Sequence, residues 1–320
     1  MVYSMPKVSV IIPNYNHAAF LHERIDSVLQ QRYHDFELII LDDASTDNSR
    51  DIIERYRGNS KITHIVYNEV NSGSTFPQWQ KGIILAAGKY IWLAESDDIA
   101  EPGFLEACME KMETDPSLVL VCTNSKIIDE RGEVLHKDLS FWYEDISAER
   151  WANDFINEGR AEIREALSLK NTIPNASAVV FKKIFFTEAL GFRFCGDWMF
   201  WIKLLEGGNL AFISEPLNQF RMHVNTTRYS ENSVEKSRRF LKERATILNY
   251  LERKNLIERR SFRLKRAQII YDWKHMFTIT DIIKKDFYIP FKSAAVFGEF
   301  VFFKAANGCK RVAALFSKKT

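Results

Sequence analysis

Apolar and polar positions follow two alternating periods over the first 125 residues. VSVII (8–12) is a short β-branched run that stops at Pro13, which predicts a buried strand. Leu21, Ile25, Val28 and Leu29 then recur at helical spacing, with Asn16 placed to cap that helix. FELIIL (36–41) predicts a second strand, and STDNSRDIIERYR supplies capping residues followed by a helix. ITHIVY (62–67), a helix near 76–87, KYIWLA (89–94), a helix near 103–113 and LVLVCT (118–123) continue the series. Strands alternating with helices in this way predict an α/β fold: a mostly parallel, Rossmann-like sheet with helices on both faces.

Residues 124 to 172 leave the pattern. SFWYEDISAERWANDF is aromatic and acidic, and AEIREALSLKN has helical spacing. NTIPNASAVVF (171–181) ends in a strand-like run, and LAFIS (210–214) predicts a last short strand. From about residue 229 the chain is helical and basic, with amphipathic Leu and Ile spacing in VEKSRRFLKERATILNYLERKNLIERR.

Carboxylates concentrate where two strands end. Asp42 and Asp43 follow FELIIL; Glu95, Asp97 and Asp98 follow KYIWLA. In open parallel sheets ligands bind beyond the carboxyl ends of the strands, so both acid groups fall at the edge where a ligand sits. Like charges this close disfavour one another's ionisation unless water or a cation compensates. An oxygen-rich ligand set favours Mg²⁺ or Mn²⁺ over zinc. The competing explanation is that Asp and Ser after a strand are ordinary turn and cap residues. Neither G-x-G-x-x-G nor a Walker loop occurs where a strand meets a helix, which argues against a dinucleotide dehydrogenase or a P-loop kinase.

The 320 residues carry 46% hydrophobic and 27% charged side chains, as in a soluble globular protein, and a net charge of +2 that conceals an asymmetry. From Ser233 onward there are 21 Lys and Arg against 8 Asp and Glu, so the excess of acid lies in the earlier part. The basic end is a candidate for lying on an anionic membrane surface. Equally, it is a helical extension packed on the preceding domain with its charges solvated. It lacks a recognised nucleic-acid-binding motif. Cys108, Cys122, Cys195 and Cys309 show neither pairing nor zinc spacing, and the start MVYSMPKVSV is no signal peptide. These features lead us to expect a cytoplasmic protein, with the inner face of the cell membrane as its place of work if the basic end binds lipid. No uncharged apolar run approaches the roughly 18 residues of a membrane span.

VSVIIPNYNHAAFLHERIDSVLQQ, FELIILDDASTDNS, GKYIWLAESDDIAEPGFLE and GDWMFWIKLLEGG, in that order, resemble the family 2 glycosyltransferases, inverting enzymes of the GT-A fold that use nucleotide-sugar donors. PLNQFRMHVNTT is a weaker fifth match. The resemblance implies that Pro13 and Tyr15 line a base pocket and that one of Asp42 and Asp43 holds the base or ribose. Glu95-Ser96-Asp97 stands in place of the D-x-D motif, its first acid towards the ribose and its second on a divalent metal. Asp197 matches the general base, and His223 a position near metal or diphosphate. Arg221 is a candidate phosphate contact, and Asn175 and Ser177 match a segment bordering the acceptor cleft. Trp142, Tyr143 and Trp151 are candidates for stacking on sugar rings, or for plain core packing.

Two departures from the family pattern stand out. The first acid of the triplet is Glu95, one methylene longer than Asp, which leaves it a candidate metal ligand beside Asp97 and His223 as well as a ribose contact. An Arg-Asn pair common before the D-x-D strand is replaced by QWQK ahead of Gly82, leaving Lys81 as the nearby cation and Trp79 as a packing or stacking group. We expect residues 1–228 to form the GT-A domain, with a nucleotide-sugar half over 1–125 and an acceptor half over 126–228, and residues 229–320 to form a basic helical extension. The expected activity is transfer of a sugar, from a UDP-sugar as the family's commonest donor, to a glycan or lipid-linked acceptor. Alternatives are a sugar-phosphate nucleotidyltransferase and a catalytically inactive carbohydrate-binding or scaffold protein. Against the first, PNYNHAAF occupies the place of a triphosphate-binding loop; against the second, Glu95, Asp97 and Asp197 are all retained.

Overall fold

The computed structural model describes residues 5–147, 149–185, 187–223 and 234–276. It forms two compact units, Met1–Thr226 and Thr227–Thr320. In the first, β1 (Val8–Asn14), β2 (Phe36–Asp42), β3 (Ile62–Tyr67) and β4 (Tyr90–Leu93) run parallel, linked by α1 (Ala18–Leu29), α2 (Ser49–Tyr56) and α3 (Thr75–Leu85). β5 (Ile99–Ala100), α4 (Phe104–Thr114), β6 (Leu118–Ile128), β7 (Val134–His136), α5 (Ser140–Tyr143), β8 (Phe155–Asn157), α6 (Gly159–Glu162), β9 (Val179–Lys182), α7 (Gly196–Leu205) and β10 (Asn209–Arg221) follow. One sheet runs in the order β3-β2-β1-β4-β9-β6-β10-β5, with β7 on β6 and β8 on β10.

Every residue of β1 and β2 is buried, because helices cover both faces. Val8, Val10 and Ile12 point into a cluster with Leu21, Ile25, Val28, Trp92 and Phe104. Each such fully buried aliphatic side chain contributes about 1.5–3 kcal/mol. On the other face α3 lies close against β1: a Cβ on Gly82 would come within 2.5 Å of Ile11 Cγ2.

Four elements differ from the sequence expectation. Asn16 does not cap α1; it sits at φ 55, where Asn is tolerated, and its Oδ1 accepts from Thr46 N at 2.7 Å in the neighbouring turn. His17 occupies the cap position instead. β6 and β10 run far past their apolar runs, because buried polar side chains continue them. Asn218 Nδ2 donates to Ser125 Oγ, and a register shift at Pro216 absorbs the residue that cannot donate to the ladder. The helix expected over AEIREALSLKN shortens to α6 and one wider turn, closed by Ser168 N donating to Ile163 O.

The second unit holds α8 (Val234–Arg253) and α9 (Arg259–Met276), with Leu241, Ala245, Leu248, Leu251, Ile269, Ile270 and Trp273 buried. Among the described residues no helix is long and apolar enough to cross a membrane. Residues 277–320, about half of the basic end on which the expectation of membrane contact rested, lie outside the described residues, as does the end of PLNQFRMHVNTT.

Candidate active site

Strand direction brings the chemistry together. β9 is antiparallel to both β4 and β6, so β6 and β10 run the same way as β1, β2 and β4. The turns after β1, β2, β4 and β10 therefore open at one edge. Side chains stitch the first two: Asn14 Nδ2 donates to Asp42 Oδ1 at 3.0 Å and to Ser45 Oγ at 3.1 Å. The fully buried Asp42 also accepts from Ser45 N and pairs with Arg50. Asp43 accepts from Asn68 Nδ2 at 2.6 Å, from the backbone and hydroxyl of Ser72, and from Gln78 Nε2 at 2.8 Å. It thus holds the chain entering α3. Lys81 Nζ reaches the same group by donating to Asn68 Oδ1. Pro13 is buried in β1, whereas Tyr15 stands 45% exposed at the open edge.

The turn after β4 is gripped from below. Asp98, buried, accepts from Asn175 Nδ2 at 2.8 Å and from Arg221 N at 2.9 Å; Ser177 Oγ accepts from Glu95 N at 3.0 Å. Asn175 and Ser177 are buried supports of this turn, which corrects their expected place at an acceptor cleft. Arg221 is likewise no phosphate contact: its guanidinium donates to Asp97 O, Asp129 O, Glu130 O and Glu23 Oε2, and it is 1% exposed. Arg24, fully buried, donates from Nε to Glu95 O at 2.8 Å.

Above these supports Asp97 Oδ2 lies 3.0 Å from His223 Nε2, and His17 Nδ1 lies 2.8 Å from Ser96 Oγ. One ligand atom from each of His17, Asp97 and His223 falls within 4.8 Å of the others. Two imidazoles and a carboxylate are a donor set that suits a divalent transition ion. Burial alone would raise Asp97, but the hydrogen bond from His223 and the nearby imidazoles hold it below the usual carboxylate range. Burial lowers His17, favouring the neutral imidazole that ligation requires. Glu95, a candidate metal ligand by its place in the triplet, stands outside this cluster. Its Oε1 accepts from Trp79 Nε1 at 2.6 Å, and Thr75 Oγ1 is 3.4 Å away. Burial, then the charge of Asp97, pushes Glu95 up to about 8 and Asp98 up to about 6.

Asp197 lies in the first turn of α7, half-buried, with Oδ2 accepting from Asn171 Nδ2 at 2.8 Å. Gly196 beside it packs on Phe76, in the first turn of α3 next to Thr75. The helix bearing Asp197 is thereby seated against the segment that faces Glu95. Trp142 is half-buried, its Nε1 donating to Asn171 O. Tyr143 and Trp151 are not sugar platforms: they are buried and stack on each other, centroids 4.6 Å apart.

Reasoning from sequence missed His17, Asn171 and Arg24. His17 carried a signal, a histidine directly after the turn that ends β1, at the ligand edge. Asn171 and Arg24 carried none, since only the tertiary path of 163–175 and the underside of α1 bring them here.

Residues 9–170 match the family model described as glycosyl transferase family 2. An uncharacterised glycosyltransferase of Haemophilus influenzae is 26% identical over 247 residues, covering 75% of this chain and 74% of that protein. TuaG of Bacillus subtilis, a glycosyltransferase provisionally named for teichuronic acid biosynthesis, is 29% identical over 232 residues, covering 69% of this chain and 81% of TuaG. The crystal structure of S. aureus TarS 1-349 in complex with UDP-GlcNAc superimposes with a TM-score of 0.60 at 18% identity, over 86% of this chain and 74% of that one. This likeness gives the fold, a GT-A glycosyltransferase domain.

Proposed function

The chain belongs to glycosyl transferase family 2, and from that premise we propose that it transfers a sugar, with inversion, from a nucleotide-sugar to a hydroxyl of a glycan or lipid-linked acceptor in cell-surface polysaccharide assembly. The observation that carries this reading is the meeting of Asp97 and His223, 3.0 Å apart, at the edge where the Asp42 and Asp43 turn also opens. A uridine donor is favoured by the UDP-GlcNAc complex of TarS, and a polysaccharide acceptor by the name of TuaG. Pro13, Tyr15, the Asp42–Asp43 turn and Lys81 would frame the nucleoside, with Glu95 towards the ribose.

Asp97 and His223 would hold a divalent cation, Mn²⁺ or Mg²⁺, whose positive charge stabilises the departing diphosphate. Asp197 would accept the proton of the acceptor hydroxyl as its oxygen bonds to the anomeric carbon. The bond from that carbon to the phosphate oxygen breaks in the same displacement, and the electron pair leaves with the nucleoside diphosphate. Asn171 orients the carboxylate, and Trp142 stands beside it as a platform for an acceptor sugar. We place the protein in the cytoplasm, with residues 229–320 as the part that would touch an anionic membrane. The division of that domain into donor and acceptor halves near residue 125 is part of the same proposal. Thermal-shift titration with nucleotides and nucleotide-sugars, with and without Mn²⁺, tests it: stabilisation by a UDP-sugar that Mn²⁺ strengthens is expected. No stabilisation by any nucleotide-sugar would overturn the donor assignment.

A further inference from the structure

We propose that His17 is a third protein ligand of the cation held by Asp97 and His223, and that this set of two imidazoles and one carboxylate takes Mn²⁺ in preference to Mg²⁺. The inference rests on the reading that a cation belongs at this turn, and sharpens it. Its basis is positional. His17, Asp97 and His223 come from three separate segments, following β1, β4 and β10, yet each offers a ligand atom within 4.8 Å of the others. Donors at bond lengths of about 2.1 Å around one ion lie ~3–4 Å apart, so only small side-chain rotations separate the observed arrangement from a closed shell.

The surroundings of the two rings support ligation over plain structural bonding. Ser96, 1% exposed, places its Oγ 2.8 Å from His17 Nδ1. With Nδ1–H donating to that hydroxyl, the Nε2 lone pair of His17 is left for a metal. This is the outer-shell partner that fixes the tautomer of metal-binding histidines. His223 is 5% exposed and turns its Nε2 to Asp97 Oδ2, 3.0 Å away, which puts the second imidazole nitrogen beside the carboxylate. The rings meet edge to face at 5.3 Å, and Phe20 packs 4.9 Å from His223, walling one side of the group. Imidazole nitrogen suits first-row transition ions over Mg²⁺, which prefers carboxylate, phosphate and water oxygen, and Mn²⁺ is the one of them that also favours the oxygens a diphosphate brings. Three protein ligands also leave coordination positions for diphosphate oxygens.

The test uses the full-length chain stripped of metal and titrated with Mn²⁺, alone and with UDP, by the loss of the free-ion EPR signal. Wild type should bind Mn²⁺ and keep it against a large excess of Mg²⁺. His17→Ala and His223→Ala should each weaken Mn²⁺ binding at least about tenfold, and Ser96→Ala by less. Because a variant can fail by misfolding, echo-modulation EPR of Mn²⁺ on the wild-type protein, with natural and ¹⁵N-labelled histidine, counts bound imidazoles directly; two are expected. One imidazole, unchanged Mn²⁺ affinity in His17→Ala, or ready displacement by Mg²⁺ overturns the proposal while leaving the cation reading intact. Absence of Mn²⁺ binding in wild type under both conditions defeats the cation reading itself.

Discussion

The indole N–H of Trp79 donates to Glu95 Oε1 over 2.6 Å, and the same ring packs edge-on against Phe76 and Phe200. The two departures from the family pattern therefore answer each other. The extra methylene of Glu95 carries its carboxylate to a donor that stands where the family's Arg-Asn pair is missing. An Asp at 95 would fall short by roughly one C–C bond, ~1.5 Å. Trp79→Phe keeps an aromatic ring but removes the donor, and should lower unfolding free energy by about 1–3 kcal/mol in urea titration. Glu95→Asp should cost a similar amount, and the double variant clearly less than the sum. Strict additivity would mean that the contact is incidental.

Asp197→Asn should leave the dissociation constant for a nucleotide-sugar nearly unchanged while turnover falls about 10²–10⁴-fold, the usual worth of a positioned base. Asn171→Ala acts one step removed. Losing one orienting hydrogen bond of about 1–1.5 kcal/mol should reduce kcat up to about tenfold, with little change in donor affinity. Steady-state kinetics beside calorimetric donor titration separates the two effects; near-normal turnover in Asp197→Asn would remove it from the mechanism.

The alternation of strands and helices was legible because β1, β2 and β4 are largely apolar runs buried on both faces, and β3, part-exposed at the sheet edge, keeps β-branched residues. The acids were legible because they interrupt those runs at their carboxyl ends. What stayed hidden was built from polar residues in buried places. Asn124, Ser125 and Asn218 continue β6 and β10 inside the sheet, so hydropathy ended both strands too early. Arg221 was a candidate phosphate contact and is a buried brace, because four acceptors converge on it only in three dimensions. Tyr143 and Trp151 had the composition of a sugar platform but meet each other face to face. Residue type points to chemistry only where the backbone path leaves the group accessible.

Gly196 sets how closely the helix bearing Asp197 approaches α3. A Cβ there would stand 2.6 Å from Phe76 Cε2. Gly196→Ala should cost about 1–3 kcal/mol by overpacking and lower kcat by moving the adjacent Asp197. Adding Phe76→Leu should restore part of both, since the clash is with a ring edge and not with backbone. If the second change restores stability but not turnover, the glycine matters for folding and not for the placement of the base.

Arg24 is buried beneath the acid turn with both terminal nitrogens unpartnered, its guanidinium carbon 5.7 Å from the Trp92 ring centroid. Burial pushes it down to about 10, against the charges of Asp98, Asp97 and Glu95, so it stays cationic at neutral pH. A desolvated cation without hydrogen bonds on its terminal nitrogens is costly unless it offsets neighbouring negative charge. Its charge would then offset that of Asp98 and Asp97 before any metal arrives. Arg24→Met retains much of the volume and removes the charge, and should destabilise the metal-free protein by about 3–5 kcal/mol. A divalent cation at Asp97 supplies the missing charge, so Mn²⁺ should raise the urea midpoint of the variant more than that of wild type, and bind it more tightly. An equal Mn²⁺ increment in both proteins would show that Arg24 serves packing alone.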